Sequence, residues 1–143
     1  MRRKRSPAIS TILIPTDFSD NSDRAISYAT LLAKRFDAKI ELIYVIETMA
    51  VSEFVPPESL YKVLRESSRT MLDGVLEKVR KKGVGVRSRL LEGLPYDEIV
   101  KMARRVHADI ILWERMGAGA CTVSLWGALP NTSFDWPRAR FSQ

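Results

Sequence analysis

Asp17 stands directly after an apolar run, Ile12-Leu13-Ile14-Pro15-Thr16, and is followed by Phe18 and Ser19. If that run is a strand of an open parallel sheet, the carboxylate can accept a hydrogen bond from a ribose hydroxyl or an adenine amine, because such sheets bind ligands outside the carboxyl ends of their strands. The same carboxylate can equally serve a turn or cap the next helix. Its position alone leaves both roles open. Other reactive side chains are few. His107 is the only histidine and falls at the end of a helical pattern, where a charged imidazole would complement the helix dipole. No second histidine, nearby cysteine or paired carboxylate gives it a metal-site or triad spacing. Cys121, the only cysteine, excludes an internal disulfide and has no histidine at motif distance. Neither a catalytic residue nor a metal site is predicted.

The elements that would carry Asp17 follow a regular order. Ile12–Asp17 reads as a strand buried on both faces. Ser19, Asn21 and Ser22 offer N-caps to a helix whose stripe is Ile26, Ala29, Ala33 and Phe36, widened by Ala25 and Leu32. Ala38–Ile46 is a second strand, followed by a loop with Pro56 and Pro57. The next helix is expected to bury Leu60, Leu64, Met71, Val75 and Val79 and to end at Gly83. In the third strand Val84, Val86, Ser88 and Leu90 alternate with Gly85, Arg87, Arg89 and Leu91, and the polar face suggests a sheet edge. Pro95 opens a third helix with Ile99, Met102, Ala103 and Val106 inward, and Ala108–Leu112 is a fourth strand. This alternation predicts an open α/β sheet of parallel strands with helices on both faces.

The 143 residues are the size of one domain, and 45% hydrophobic with 28% charged content excludes extended disorder, a fibrous repeat and a disulfide scaffold. The net charge of +6 hints at an anionic partner, but Arg2, Arg3, Lys4 and Arg5 supply four of the 23 basic residues, so the remainder carries 19 against 17 acidic. No specific nucleic-acid binding is expected. No apolar run approaches the roughly 20 residues of a membrane span, and no secretory signal is recognisable. A cytoplasmic protein is expected.

The segment from Ile12 to Ser19, followed by Ala25-Ile26-Ser27-Tyr28-Ala29, resembles the start of universal stress proteins. The second strand Ile40–Val45, the turn Glu92-Gly93-Leu94-Pro95 and the strand Ala108–Leu112 match that family in order and spacing, so the resemblance runs from Ile9 to Leu112. It implies strand order 3-2-1-4-5. It also implies adenine-nucleotide binding, ATP or AMP, with Pro15, Thr16 and Asp17 and the backbone around Val45 at the adenosine, and a homodimer in many members paired through the fifth strand.

After Leu112 the pattern stops. Residues 113–143 contain all three tryptophans and no Lys, Ile, Tyr or His, and five glycines and prolines interrupt them. The resemblance calls here for Gly-x-x-Gly, nine residues and Gly-Ser or Gly-Thr, in which glycines let backbone N–H groups approach phosphates at a helix start. The chain instead reads Trp113-Glu114-Arg115-Met116-Gly117-Ala118-Gly119-Ala120. Permitted codons for Trp113–Gly117, preceded by one restored adenine, read Met-Gly-Thr-His-Gly and continue into the family's order. A one-base loss near codon 113 is therefore expected. The organisation predicted is a basic flexible N-terminus at 1–8, a family-like domain at 9–112 and an aberrant tail at 113–143. The fifth strand and last helix would be missing, the fourth strand left as a bare edge, and nucleotide binding and dimerisation impaired. The predicted role is a stress-response module with a regulatory or protective output. The alternatives are a member that binds no nucleotide and acts through protein contacts, or a weak ATPase or adenylating enzyme of related fold.

Overall fold

The computed structural model describes residues 9–48, 57–114 and 121–125. β1 (Thr11–Pro15) is followed by α1 (Asp20–Phe36), β2 (Lys39–Glu47), α2 (Glu58–Arg80), β3 (Val86–Gly93), α3 (Pro95–Arg105), β4 (Ile110–Glu114) and β5 (Cys121–Leu125). The sheet order is β3-β2-β1-β4-β5, and β3, β2, β1 and β4 are parallel. The predicted parallel order 3-2-1-4 and the edge position of β3 are both present.

Side-chain alternation along the strands divides the core into two layers. Ile12, Ile14, Ile40, Leu42, Ile110 and Leu112 pack with Ile26, Ala29 and Ala33 of α1 and Leu72 and Val79 of α2. Leu13, Ile43 and Ile111 point the other way, onto Ile99, Met102 and Ala103 of α3. Asp109 ties the start of β4 to the start of β1: its Oδ2 accepts from the N–H and hydroxyl of Ser10, at 2.8 and 3.0 Å, and from Thr11 N–H at 3.1 Å.

Two expectations are corrected. Of the stripe predicted for α2, Leu60, Leu64 and Met71 are exposed; the buried row is Ser68, Leu72 and Val79. Leu72 and Val79 are the residues of this helix that reach the core, and Arg65 on its N-terminal half joins Glu58 of its own first turn and Glu92 of β3. Its N-terminal half thus meets a polar strand end, which does not require an apolar row. The second correction concerns β4, which is not a bare edge. β5 pairs with it antiparallel, Ile110 opposite Leu125 and Glu114 opposite Cys121. A parallel neighbour needs a crossover of a dozen or more residues, whereas 115–120 is long enough only for a hairpin connection. Cys-Thr-Val-Ser-Leu itself alternates apolar and polar residues, as a strand does. No helix follows β4 among the described residues.

Candidate functional site

The carboxyl ends of β1 and β2 and the start of α3 enclose a cleft of about 460 Å³, within the range of small-molecule sites. It is lined by Pro15, Thr16 and Asp17 after β1, Ser22 of α1, Tyr44, Val45 and Glu47 of β2, and Pro95, Tyr96 and Ile99 of α3. All four residues singled out from sequence, Pro15, Thr16, Asp17 and Val45, meet here. The cleft lies at the sheet edge where ligands of open α/β folds bind, beside the switch in strand order between β1 and β4.

Local hydrogen bonding builds the Asp17 corner. Thr16 N–H continues the ladder by donating to Ile43 C=O at 2.9 Å. Phe18 N–H then donates to the Thr16 hydroxyl at 3.0 Å, and Phe18 adopts a left-handed φ of 66°. A non-glycine residue held in that region stores strain of the kind that collects at functional sites. The Phe18 ring rests on Tyr44, with centroids 4.6 Å apart. Asp17 Oδ1 accepts from Ser19 N–H at 3.0 Å and from the Ser22 hydroxyl at 2.6 Å, while Ser22 Oγ accepts from Asp17 N–H at 2.9 Å. Ser19 caps α1 by accepting from Ser22 N–H at 3.2 Å. The turn role of Asp17 is therefore real, yet it uses one carboxylate oxygen; Oδ2 accepts no hydrogen bond among the described residues. Burial pushes the Asp17 pKa up, but hydrogen bonds from Ser19, Ser22 and the local backbone outweigh that desolvation and hold it below its ordinary value. The group is an acceptor, ready-charged and partly used.

Gly93, two residues before Pro95, has φ 146° and passes close to the Glu98 side chain. It accepts from Thr48 N–H at 3.1 Å and so leads the chain into Pro95. Sequence reasoning missed Ser22, Tyr44, Glu47, Pro95, Tyr96 and Ile99 as wall residues. Period-2 alternation does signal that Val45 and Glu47 share one face of β2, but nothing local in sequence brings the start of α3 over them. Of the loop after β2, Pro57 leads into α2 outside the lining, and Pro56 lies outside the described residues. His107 sits past the end of α3 in a left-handed turn, φ 56°, and is exposed. No group of three potential metal ligands occurs among the described residues. No helix there is long and apolar enough to cross a membrane.

The fold and cleft define a doubly wound α/β domain with an open cleft at the carboxyl edge of its sheet. Residues 8–122 match the universal stress protein family, and the chain belongs to that family. It is 38% identical over 112 residues to universal stress protein MJ0531 of Methanocaldococcus jannaschii, covering 74% of this chain and 64% of that protein, so it spans under two thirds of that relative's length. Among solved structures, a universal stress protein in complex with cAMP is 22% identical, with a TM-score of 0.62, covering 80% of this chain and 79% of that one. The universal stress protein of Archaeoglobus fulgidus in complex with dAMP is 21% identical, with a TM-score of 0.55, covering 71% and 78%. At these identities the likeness to the two structures concerns the fold.

Proposed function

We propose that the protein is a stress-response binding module that takes an adenine-containing ligand in the Asp17 cleft and has a regulatory or protective output, without catalysis. The observation that carries the reading is the convergence of Pro15, Thr16, Asp17 and Val45 on one cleft, with Asp17 Oδ2 available to a hydroxyl or amine. Neighbours of the same fold in complex with cAMP and dAMP support an adenine ligand. The adenosine wall is retained in residues 9–112, while the phosphate loop expected after β4 is absent from the sequence. Nucleotide affinity is accordingly weakened, and the protein works in the cytoplasm with its binding surface reduced to the adenosine half.

Isothermal titration with adenosine tests this. Saturable binding by the wild-type chain, lost in Asp17→Ala at unchanged folding, is the expected result. Absence of saturable binding by every adenine compound would overturn the reading and leave a member acting through protein contacts, which the missing loop favours. The origin of the tail is testable separately by sequencing the gene across codons 108–118. Codons that cannot yield the glycine loop in the shifted frame would sink the one-base loss.

A further inference from the structure

The near balance of acidic and basic residues in the body of the chain conceals a separation. Because β1, β2, β3 and β4 are parallel, all four start at one edge of the sheet, and the helices between them end there. Three hydrogen bonds hold those starts level: Lys39 N–H donates to Ser10 C=O at 3.0 Å, Ile40 N–H to Gly85 C=O at 2.8 Å and Asp109 N–H to Thr11 C=O at 2.9 Å. α1 reaches this edge with Lys34 and Arg35 in its last turn, α2 with Lys78 and Arg80, and α3 with Arg104 and Arg105. Lys81 and Lys82 follow α2, Lys39 opens β2, and Arg87 stands second in β3. All of these side chains are exposed. Acidic residues collect at the opposite edge, Asp20 and Asp23 in the first turn of α1, Glu58 in that of α2, and Asp97 and Glu98 in that of α3. A chain nearly neutral by count is thus polarised from one edge of its sheet to the other.

Little at the amino edge offsets its charge. Among the described acids there, Glu77 is joined to Arg80 at 2.8 Å, Asp109 is engaged by Ser10 and Thr11, and Asp37 is exposed. Outside the described residues the sequence holds two acids, Glu53 and Asp135, too few to neutralise the edge wherever they lie. The helix dipole accounts for a cation in each last turn. It does not account for Lys39 and Arg87 near the strand starts, where further like charge adds repulsion. Such a concentration of cations is the electrostatic footprint of a polyanion site.

We propose that this amino edge binds the phosphate backbone of duplex nucleic acid without reading its sequence. α1 and α2 lie on one face of the sheet and α3 on the other, so with helices about 10–12 Å across, their basic ends form two rows roughly 20 Å apart. Rows at that separation can reach phosphates on both sides of a major groove about 12 Å wide. The planar forks of Arg35, Arg87 and Arg105 suit phosphate oxygens. Of the exposed large apolar side chains among the described residues, only Leu31 stands within one helical turn of these basic helix ends. A single leucine is a weak anchor in a lipid surface, which favours a soluble polyanion. The site lies across the sheet from the Asp17 cleft and stands or falls independently of the adenosine reading.

Fluorescence anisotropy of the full chain with two labelled duplexes of unrelated sequence, each about 20 base pairs, tests this. Dissociation constants of about 10⁻⁶–10⁻⁴ M near physiological salt are expected, equal for the two duplexes within about twofold. With about four to six phosphates contacted, affinity falls roughly 10²–10³-fold between about 50 and 200 mM salt. Lys34→Gln with Arg35→Gln, and Lys81→Gln with Lys82→Gln, should each weaken binding on the order of tenfold at low salt and flatten the salt dependence. Lys62→Gln with Arg69→Gln removes equal charge from exposed positions of α2 away from the edge, and should change affinity by less than about twofold. Absence of binding at about 50 mM salt would overturn the proposal, as would equal losses from the Lys62 and Arg69 pair and the edge pairs. Replacing Arg2, Arg3, Lys4 and Arg5 by Gln should leave duplex binding measurable; its abolition would assign the contact to that run and refute the edge. Tighter binding to phosphatidylcholine vesicles containing about 30% phosphatidylserine than to the duplexes would refute nucleic acid as the partner.

Discussion

Glu41 sits in the middle of the sheet and carries a charge into the core. It lies on β2 in register with Leu13 of β1 and Arg87 of β3, is 2% exposed, and meets Arg89 Nε through Oε1 at 3.4 Å. Arg89→Met removes the partner and leaves the carboxylate buried. Breaking a buried ion pair this way costs about 3–5 kcal/mol. Arg89 is one-third exposed, so water reaches the guanidinium side and the cost is discounted to about 2 kcal/mol. Glu41→Leu combined with Arg89→Met should restore most of the loss, because neighbouring Leu13 and Ile43 can pack against an apolar pair. Urea unfolding followed by circular dichroism measures this. With a slope of roughly 1–3 kcal/mol per molar urea, the single substitution lowers the midpoint by about 1 M. A loss below about 0.5 kcal/mol would show that the pair is effectively solvated. A double variant as unstable as the sum of its two single substitutions would refute the reasoning, since it would mean that the two charges do not interact.

Four further outcomes follow from local geometry. Gly93→Ala places a Cβ 2.8 Å from Glu98 Oε2 at a φ of 146°, and should cost about 1–3 kcal/mol; Gly74→Ala, with open space at its Cβ inside α2, should stabilise by about 0.5–1 kcal/mol, both read by thermal melting. Asp109→Ala removes the three hydrogen bonds to Ser10 and Thr11; a loss of about 1–3 kcal/mol and faster amide exchange at Thr11 are expected. The folded-state pKa of Asp17 is depressed below 3.8, so its ionised form contributes stability that is fully present above that value and is lost as pH falls through the folded pKa. The stability difference between wild type and Asp17→Asn, measured by urea titration, should stay constant from neutral pH down to about 5 and shrink below about 4.

Much of the framework was legible because its causes are local. The buried run at Ile12–Ile14, the Ser19 cap, the helical stripe of α1 and Pro95 at the head of α3 each follow from spacing or from one residue's chemistry. Asp17 was legible for the same reason, including the ambiguity between turn and ligand roles: one oxygen closes the turn and the other remains available. What escaped was relational. Which face of α2 is buried depends on how Leu72 and Val79 seat against the sheet and α1, so an apolar row at Leu60, Leu64 and Met71 could look like the buried face and yet be exposed. β5 went unread because the tail lacks the family's pattern, although its five residues alternate as a strand and the short connection permits only a hairpin.

The sequence by itself determined the elements from β1 to β4 and the turn that presents Asp17, since hydrophobic period, caps and turn residues act over a few positions, while its resemblance to the family supplied the strand order. Only the tertiary structure decided that Tyr44, Glu47, Pro95 and Tyr96 join Asp17 around one cleft, that Glu41 shares its charge with Arg89, and that β4 receives an antiparallel neighbour. Those are encounters between residues far apart in the chain. They depend on how strands register and helices settle onto the sheet, which no local spacing specifies.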